Sequence, residues 1–160
     1  MLRLGGRISV CGEDIIKLLK TLLAPLALAL ALTGTAYGTA LAGGDETTKA
    51  VIEHHLAAFG AADMAEIMAD YSDTSVIVTQ GGELRGKQAI QGLFTNLIAE
   101  FAKPGAKFNL QKFVVEDDIG YIVWDAETAD NIYELGTDTF LIRNGKIEIQ
   151  TLAAKVISKN

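Results

Sequence analysis

The chain has 160 residues, 14 basic and 20 acidic side chains, a net charge of −6, and hydrophobic residues make up 49%. This acidic balance argues against nucleic-acid binding, which needs a basic surface to displace the counterions of the phosphate backbone. The single cysteine, Cys11, lies near the start of the chain. Residues 43–160 therefore have no thiol for a disulfide, a nucleophile or a zinc–thiolate site.

The first 42 residues have the pattern of a bacterial secretory signal peptide. Leu22 to Leu32 form an uncharged run of eleven residues that follows Lys17 and Lys20, and Ala40-Leu41-Ala42 supplies an A-x-A cleavage site. A membrane anchor is the alternative, but a membrane-spanning helix needs about 20 apolar residues. We predict that residues 1–42 are a cleaved leader and that the mature protein is periplasmic or secreted, with no membrane attachment.

The mature part, residues 43–160, has the length of one domain with one hydrophobic core. Removing the four basic and two acidic residues of the leader leaves 10 basic and 18 acidic residues, a net charge of −8. The acidic side chains between residues 117 and 130 do not have the spacing of a calcium-binding loop. We expect neither a metal nor another cofactor.

Apolar residues at helical spacing predict three helices in the first half of the mature chain. The first runs from Thr47 to Phe59. The second opens at Asp63, whose carboxylate can cap free backbone N–H groups, and its apolar stripe reaches Tyr71. The third covers residues 86–101 and ends before Pro104-Gly105.

The second half alternates with the period of two that is typical of strands. After a short strand at 75–79, we predict four longer strands at 107–116, 119–128, 131–143 and 146–157. The last two are joined by Asn144-Gly145, a tight-hairpin signal. The alternation in strand 107–116 slips by one residue, which predicts a β-bulge and a bent sheet. The predicted fold is α+β: three N-terminal helices packed on a strongly bent, mainly antiparallel sheet that forms a cone with a pocket.

Several motifs resemble the SnoaL-like domains of the nuclear-transport-factor-2-like superfamily. They are the runs Ala57–Asp63, Tyr71–Val76 and Arg85–Ile90 in the first half, and Thr137–Phe140 with Asn144–Ile147 in the second. The resemblance covers nearly all of residues 46–157. It implies the fold but not an activity, because the family includes isomerases, cyclases, epoxide hydrolases and transport factors.

The resemblance to the steroid isomerases of this family can be followed residue by residue. Their helix-1 tyrosine falls on His55, their catalytic base on Thr79, and their protonated aspartic acid on Asp138. Threonine cannot serve as the carboxylate base. Ketosteroid isomerase activity is therefore not expected.

His55 and Asp138 are the candidate functional residues. On a helical wheel His55 lies among the apolar residues of the first helix, whereas His54 points outward. Asp138 shares its strand face with Phe140, so burial requires a partner or a proton. We expect His55 and Asp138 to meet across one cavity, although a hydrogen-bonded core histidine and a structurally paired carboxylate remain the alternatives.

Two functional classes are open for this cavity. The favoured one is binding of a small hydrophobic ligand, with Thr79, Trp124, Tyr133 and Phe140 also lining the pocket. The alternative is an isomerase, cyclase or hydrolase that uses His55 and Asp138 as acid–base or oxyanion groups. We also predict a homodimer formed through the open face of the sheet, which would carry Tyr133, Leu135 and Leu141.

Overall fold

A computed structural model describes residues 44–159 of the chain. It contains three helices: α1 (Gly44–Gly60), α2 (Met64–Ala69) and α3 (Gly86–Phe101). It contains six strands: β1 (Tyr71–Thr79), β2 (Gly82–Arg85), β3 (Lys107–Glu116), β4 (Ile119–Glu127), β5 (Asn131–Arg143) and β6 (Lys146–Ser158). The predicted leader and its cleavage site lie outside the described residues.

The strands form one mixed sheet in the order β2-β1-β6-β5-β4-β3. The pair β1–β6 is parallel and the other neighbours are antiparallel. The helices pack on one face of this bent sheet, and the core lies between them. The predicted α+β class and its helix-on-sheet arrangement are confirmed. In residues 44–159, no helix is long and apolar enough to span a bilayer.

Helix α1 begins three residues earlier than its apolar pattern indicated, because its first turn is anchored by tertiary contacts. The Thr48 hydroxyl donates to the backbone oxygen of Asp117 at 2.8 Å. The Asp117 backbone N–H donates to the Asp45 carboxylate at 2.6 Å. The N-terminal end of α1 is thereby fixed to the β3–β4 turn.

The start of α2 agrees with the sequence, but its end does not. Asp63 caps the helix by accepting from the backbone N–H groups of Ala65 and Glu66, both at 3.1 Å. The prediction that Tyr71 belongs to the apolar stripe of this helix is wrong. Tyr71 begins β1 and pairs with Ile147 of β6, so strand pairing overrides the helical spacing.

The short strand β2 was not anticipated. Gln80-Gly81 form a two-residue turn, after which Gly82 begins β2 and pairs with Thr79 of β1. Arg85 is the last residue of β2. Its side chain is exposed and donates to Glu83 at 3.0 Å.

Interruptions of the strand register bend the sheet, since each bulge adds local twist. The predicted bulge in β3 lies between Leu110 and Lys112. A second register shift in β5 separates Tyr133 from Leu135. It was not predicted, and it turns Tyr133 to the inner face while Leu135 stays 48% exposed. Placing Tyr133 on the open outer face was therefore wrong.

The hairpin between β5 and β6 has the predicted geometry. Asn144 has φ 53° and Gly145 has φ 69°, the left-handed values that a two-residue turn of this kind requires. From this turn β5 and β6 pair from Arg143 to Asn131, with register shifts between Leu141 and Ile142 and between Tyr133 and Leu135. Because of that register, Asp138 and Gln150 lie on the same inner face of the sheet, two residues apart diagonally.

Candidate ligand-binding site

A cavity of about 290 Å³ lies between helices α1 and α3 and the inner face of the sheet. Its walls are mainly aromatic and aliphatic, and the apolar and aromatic residues lining it are Leu56, Phe59, Leu93, Phe94, Leu97, Phe101, Phe108, Ile122, Trp124, Phe140, Leu152 and Ala154. Six further lining residues contribute polar side chains: His55, Thr79, Gln80, Tyr133, Asp138 and Gln150. Concave sites of this composition are typical of small-molecule binding.

Asp138 lies at the inner end of the cavity and is buried. Its Oδ2 accepts from Trp124 Nε1 at 2.7 Å, and its Oδ1 accepts from Gln150 Nε2 at 2.7 Å. Burial raises the pKa of the Asp138 carboxyl, and this effect exceeds the opposing influence of these two hydrogen bonds and of His55. The partners allow a carboxyl group to be buried, and the raised pKa favours its protonated form.

His55 points inward from α1 and is buried, whereas His54 points outward, as the helical wheel predicted. The His55 ring packs edge-on against Phe94 at a centroid distance of 5.3 Å and against Phe140 at 6.0 Å. Its Nδ1 lies 3.3 Å from Oδ2 of Asp70, at ion-pair distance. The angle between these two groups is too poor for a hydrogen bond. Both atoms are buried, and neither has another hydrogen-bond partner in the described chain.

The structure brings His55 and Asp138 to one cavity but not into direct hydrogen-bond contact. Two other side chains join them: the Tyr71 hydroxyl lies 3.4 Å from His55 Nε2 and donates to Oε1 of Gln150. Burial, with the charges of Asp138 and Asp70, raises the pKa of Tyr71 well above its usual range, so the phenol stays protonated. The result is a polar connection running from His55 through Tyr71 and Gln150 to Asp138.

Trp124 can reach Asp138 because a glycine faces it on the neighbouring strand. Trp124 of β4 pairs with Gly136 of β5. A Cβ atom at Gly136 would lie 2.2 Å from the indole Cε2. The indole therefore lies flat over the backbone of β5, with its N–H directed at the carboxyl two residues further along that strand.

The other predicted lining residues also border the cavity. Thr79 lies at the rim, where its hydroxyl donates to the backbone oxygen of Gly82 at 2.9 Å and accepts from Gly81 at 3.1 Å. Both hydrogen bonds of the Thr79 hydroxyl are therefore made within the β1–β2 turn. Tyr133 donates to Oε2 of Glu100 at 2.8 Å, which ties β5 to the end of α3.

Sequence reasoning missed Tyr71 and Gln150, which belong to the polar connection, and Asp70, which lies beside His55. Tyr71 was misplaced on a helix. Gln150 could have been found, because it alternates with Leu152 and Ala154 along the inner face of β6. No local pattern in the sequence indicated that Asp70 lies beside the cavity. Within residues 44–159, no cluster of three or more histidine, cysteine, aspartate or glutamate side chains is placed to hold a metal ion.

The helices, bent sheet and pocket define a cone-shaped α+β domain of the nuclear-transport-factor-2-like type. The model of the SnoaL-like domain family matches residues 52–149. The chain belongs to this family, as its motifs indicated. A comparison with curated proteins gives no match.

Solved structures show the same fold at low sequence identity. An NTF2-like protein of unknown function from Mesorhizobium loti is 23% identical over 69% of this chain and 93% of its own, with a TM-score of 0.61. A candidate ketosteroid isomerase from Kribbella flavida is 12% identical over 71% and 82%, with a TM-score of 0.60. An LEH-like epoxide hydrolase from M. tuberculosis is 13% identical over 69% and 84%, with a TM-score of 0.55.

Proposed function

We propose that this domain binds a small, mainly apolar molecule whose single polar group contacts Asp138. The observation that carries the proposal is the distribution of chemistry in the cavity. Apolar side chains from α1, α3 and the sheet form most of the wall, and Asp138 with its partners Trp124 and Gln150 forms one polar end. An apolar body supplies affinity by burial, and a few placed polar groups supply orientation.

The volume limits the size of the ligand. A cavity of about 290 Å³ corresponds to about ten water molecules at roughly 30 Å³ each. A methylene group occupies a similar volume, so the ligand has on the order of ten non-hydrogen atoms. We therefore expect a monocyclic or bicyclic skeleton rather than a long lipid.

The hydrogen-bonding capacity of Asp138 restricts which polar group the ligand can carry. Each carboxyl oxygen already accepts one hydrogen bond, so an ionised Asp138 still has acceptor sites and a protonated one also has a donor. Because burial raises the pKa of the Asp138 carboxyl, this group takes up a proton more readily than an exposed aspartate. A ketone or an alcohol fits this end of the cavity, whereas a carboxylate ligand would meet a group of its own sign whenever Asp138 ionises.

Trp124 makes the proposal testable, because it is the only tryptophan of the chain and it lines the cavity. We would titrate the protein with 4-butylcyclohexanone, 4-butylcyclohexanol and butylcyclohexane and follow tryptophan emission. The ketone and the alcohol should bind about tenfold more tightly than the hydrocarbon, which corresponds to one net hydrogen bond.

Neighbouring alanines on β6 provide a matched control. Ala154 lines the cavity, whereas Ala153 lies on the outer face and is exposed. Ala154→Leu should fill part of the cavity and weaken binding about tenfold or more, and Ala153→Leu should leave it unchanged. Equal affinities of both variants, or emission that none of the three probes alters, would refute the proposal.

A second candidate function is proton-transfer catalysis in the same cavity. It is favoured by one observation: an imidazole and a carboxyl group of raised pKa are joined through Tyr71 and Gln150. Such pairs are typical of acid–base sites. If the cavity enolises ketones, 4-butylcyclohexanone in D₂O should gain α-deuterium faster with wild type than with Asp138→Leu. If the bound ketone gains α-deuterium only at the rate seen in buffer alone, the domain binds the ketone without catalysing proton transfer.

We also propose that the mature protein is exported and forms a homodimer through the outer face of the sheet. One row of side chains crosses five strands without a charge: Val78, Thr151, Thr139, Tyr121 and Val114 are successive register partners. Val78 and Val114 are 44% and 43% exposed. An extended uncharged row of this kind is typical of an interface, and a second copy presents the same row across a two-fold axis.

A further inference from the structure

Asp138 contributes the one carboxyl group among the described residues that line the cavity, and this group has no cationic partner. Its two hydrogen-bond partners are neutral, because the Trp124 indole N–H donates to Oδ2 and the Gln150 amide to Oδ1, both at 2.7 Å. No lysine or arginine of residues 44–159 lines the cavity. Burying a carboxylate without a cation is costly, and burial accordingly raises the pKa of Asp138.

The imidazole of the cavity, His55, is engaged by other groups. Its Nδ1 lies 3.3 Å from Oδ2 of Asp70, and its Nε2 lies 3.4 Å from the Tyr71 hydroxyl. Tyr71 donates its own proton to Gln150, so the His55 nitrogen that faces the hydroxyl is a donor. A positive charge on His55 is therefore balanced by Asp70 at ion-pair distance, and Asp138 is left without a counter-charge of its own.

The two neutral donors leave part of the Asp138 carboxyl free. The Gln150 amide is fixed in its orientation, since its Oε1 accepts from Tyr71 and its Nε2 donates to Asp138. Trp124 is also a donor, so neither partner can accept a proton from Asp138. Each carboxylate oxygen has two lone pairs, of which these bonds use one. The remaining lone pairs make Asp138 an incompletely used acceptor at the end of the cavity.

The rest of the cavity accommodates a positive charge better than a negative one. Seven of the lining side chains are aromatic: Phe59, Phe94, Phe101, Phe108, Trp124, Tyr133 and Phe140. The face of an aromatic ring is negative and attracts a cation. Residues 43–160 also have 10 basic and 18 acidic side chains, a net charge of −8, which raises the concentration of cations near the domain.

We propose that the polar group of the ligand is a protonated amine, which pairs with the carboxylate of Asp138 while its apolar skeleton fills the cavity. This inference rests on the ligand-binding function proposed above and names the chemical class of the ligand. When a free amine meets neutral Asp138, the O–H bond breaks, an N–H bond forms on the ligand, and the electron pair of the O–H bond stays on the carboxylate. The pair has no net charge, so the interior gains no uncompensated charge.

An amine of the same skeleton as the earlier probes tests this inference. We would titrate the protein at pH 8 with 4-butylcyclohexylamine, 4-butylcyclohexanol and butylcyclohexane and follow Trp124 emission. The amine is protonated at this pH, because alkylammonium groups have a pKa of about 10.4, as in lysine. Hydrogen bonds between charged groups are about twice as strong as neutral ones, so the amine should bind about tenfold more tightly than the alcohol.

Asp138→Asn removes the negative charge and nearly preserves the shape of the side chain. The affinity for the amine should fall about 100-fold or more, because the ammonium loses its buried partner, whereas the affinity for the alcohol should change less than about tenfold. Asp125→Asn is the matched control. Asp125 adjoins Trp124 on β4, accepts from Asn109 at 2.9 Å and does not line the cavity, so this variant should bind the amine as wild type does.

The outcomes separate this inference from the proposed function. If Asp138→Asn fails to fold, the comparison of amine with alcohol in wild type decides alone. An amine that binds no more tightly than the alcohol, or that keeps its affinity in Asp138→Asn, would overturn the amine and leave binding of an apolar molecule intact. If none of the three probes binds, the proposed function and this inference are both wrong.

Discussion

The contact between Gly136 and Trp124 gives the sharpest quantitative prediction. In Gly136→Ala the new Cβ would lie 2.2 to 2.4 Å from three indole atoms. Ordinary carbon contacts lie near 3.5 Å, so the ring must retreat by about 1.3 Å. Because this retreat runs along the ring normal, perpendicular to the N–H bond, the hydrogen bond from Trp124 Nε1 to Asp138, now 2.7 Å long, would lengthen to about 3.0 Å and lose its alignment.

Three contributions set the expected change in the free energy of unfolding. Weakening the hydrogen bond of a buried carboxyl costs about 0.5 to 1.5 kcal/mol. Forcing a methyl group into a packed site costs about 1 to 3 kcal/mol. Replacing glycine in a strand recovers about 0.5 to 1 kcal/mol. We expect Gly136→Ala to be less stable by about 0.5 to 4 kcal/mol.

Urea unfolding followed by far-ultraviolet circular dichroism measures this change, and tryptophan emission of the folded protein reports the displaced indole. Gly92→Ala is the control, because Gly92 lies on the exposed side of α3 and its Cβ would meet nothing within 4 Å. That variant should be more stable by about 1 kcal/mol. Wild-type stability and unchanged emission in Gly136→Ala would show that glycine is not required beneath the indole.

Four further predictions follow from the fold. Tyr71→Phe leaves the buried Gln150 oxygen without its donor, so urea unfolding should show a loss of about 1 to 3 kcal/mol. Burial raises the pKa of Glu100, but its three hydrogen bonds prevail and lower it, so wild type should lose stability relative to Glu100→Gln as pH falls below 4.5, and parallel acid-unfolding curves would contradict this. Light scattering at tens of micromolar (roughly, for a standard-size interface) should give a dimer mass for wild type and a monomer mass for Thr139→Lys on the outer face, whereas a wild-type monomer would exclude the interface. Mature protein recovered from the periplasm should begin near Gly43, and an intact leader on membrane-bound protein would contradict cleavage.

The sequence alone determined most of the secondary structure, because each signal was local. Asp63 capped α2 as its D-x-x-E pattern indicated. Asn144-Gly145 formed the tight turn between two long strands, and the slip in alternation located the bulge of β3. Periodicity also oriented His55 inward, since one face of a regular helix must cover the core.

Only the tertiary structure decided how the polar side chains combine. Sequence spacing placed Tyr71 on a helix, but the parallel pairing of β1 with β6 makes it the first residue of a strand. The same pairing places the Tyr71 phenol beside Gln150. The bulge in β5 turned Tyr133 into the cavity, and the end of α2 set Asp70 between two histidines. These contacts join residues distant in sequence, and their register depends on strand pairing and bulges that leave no local periodic signal.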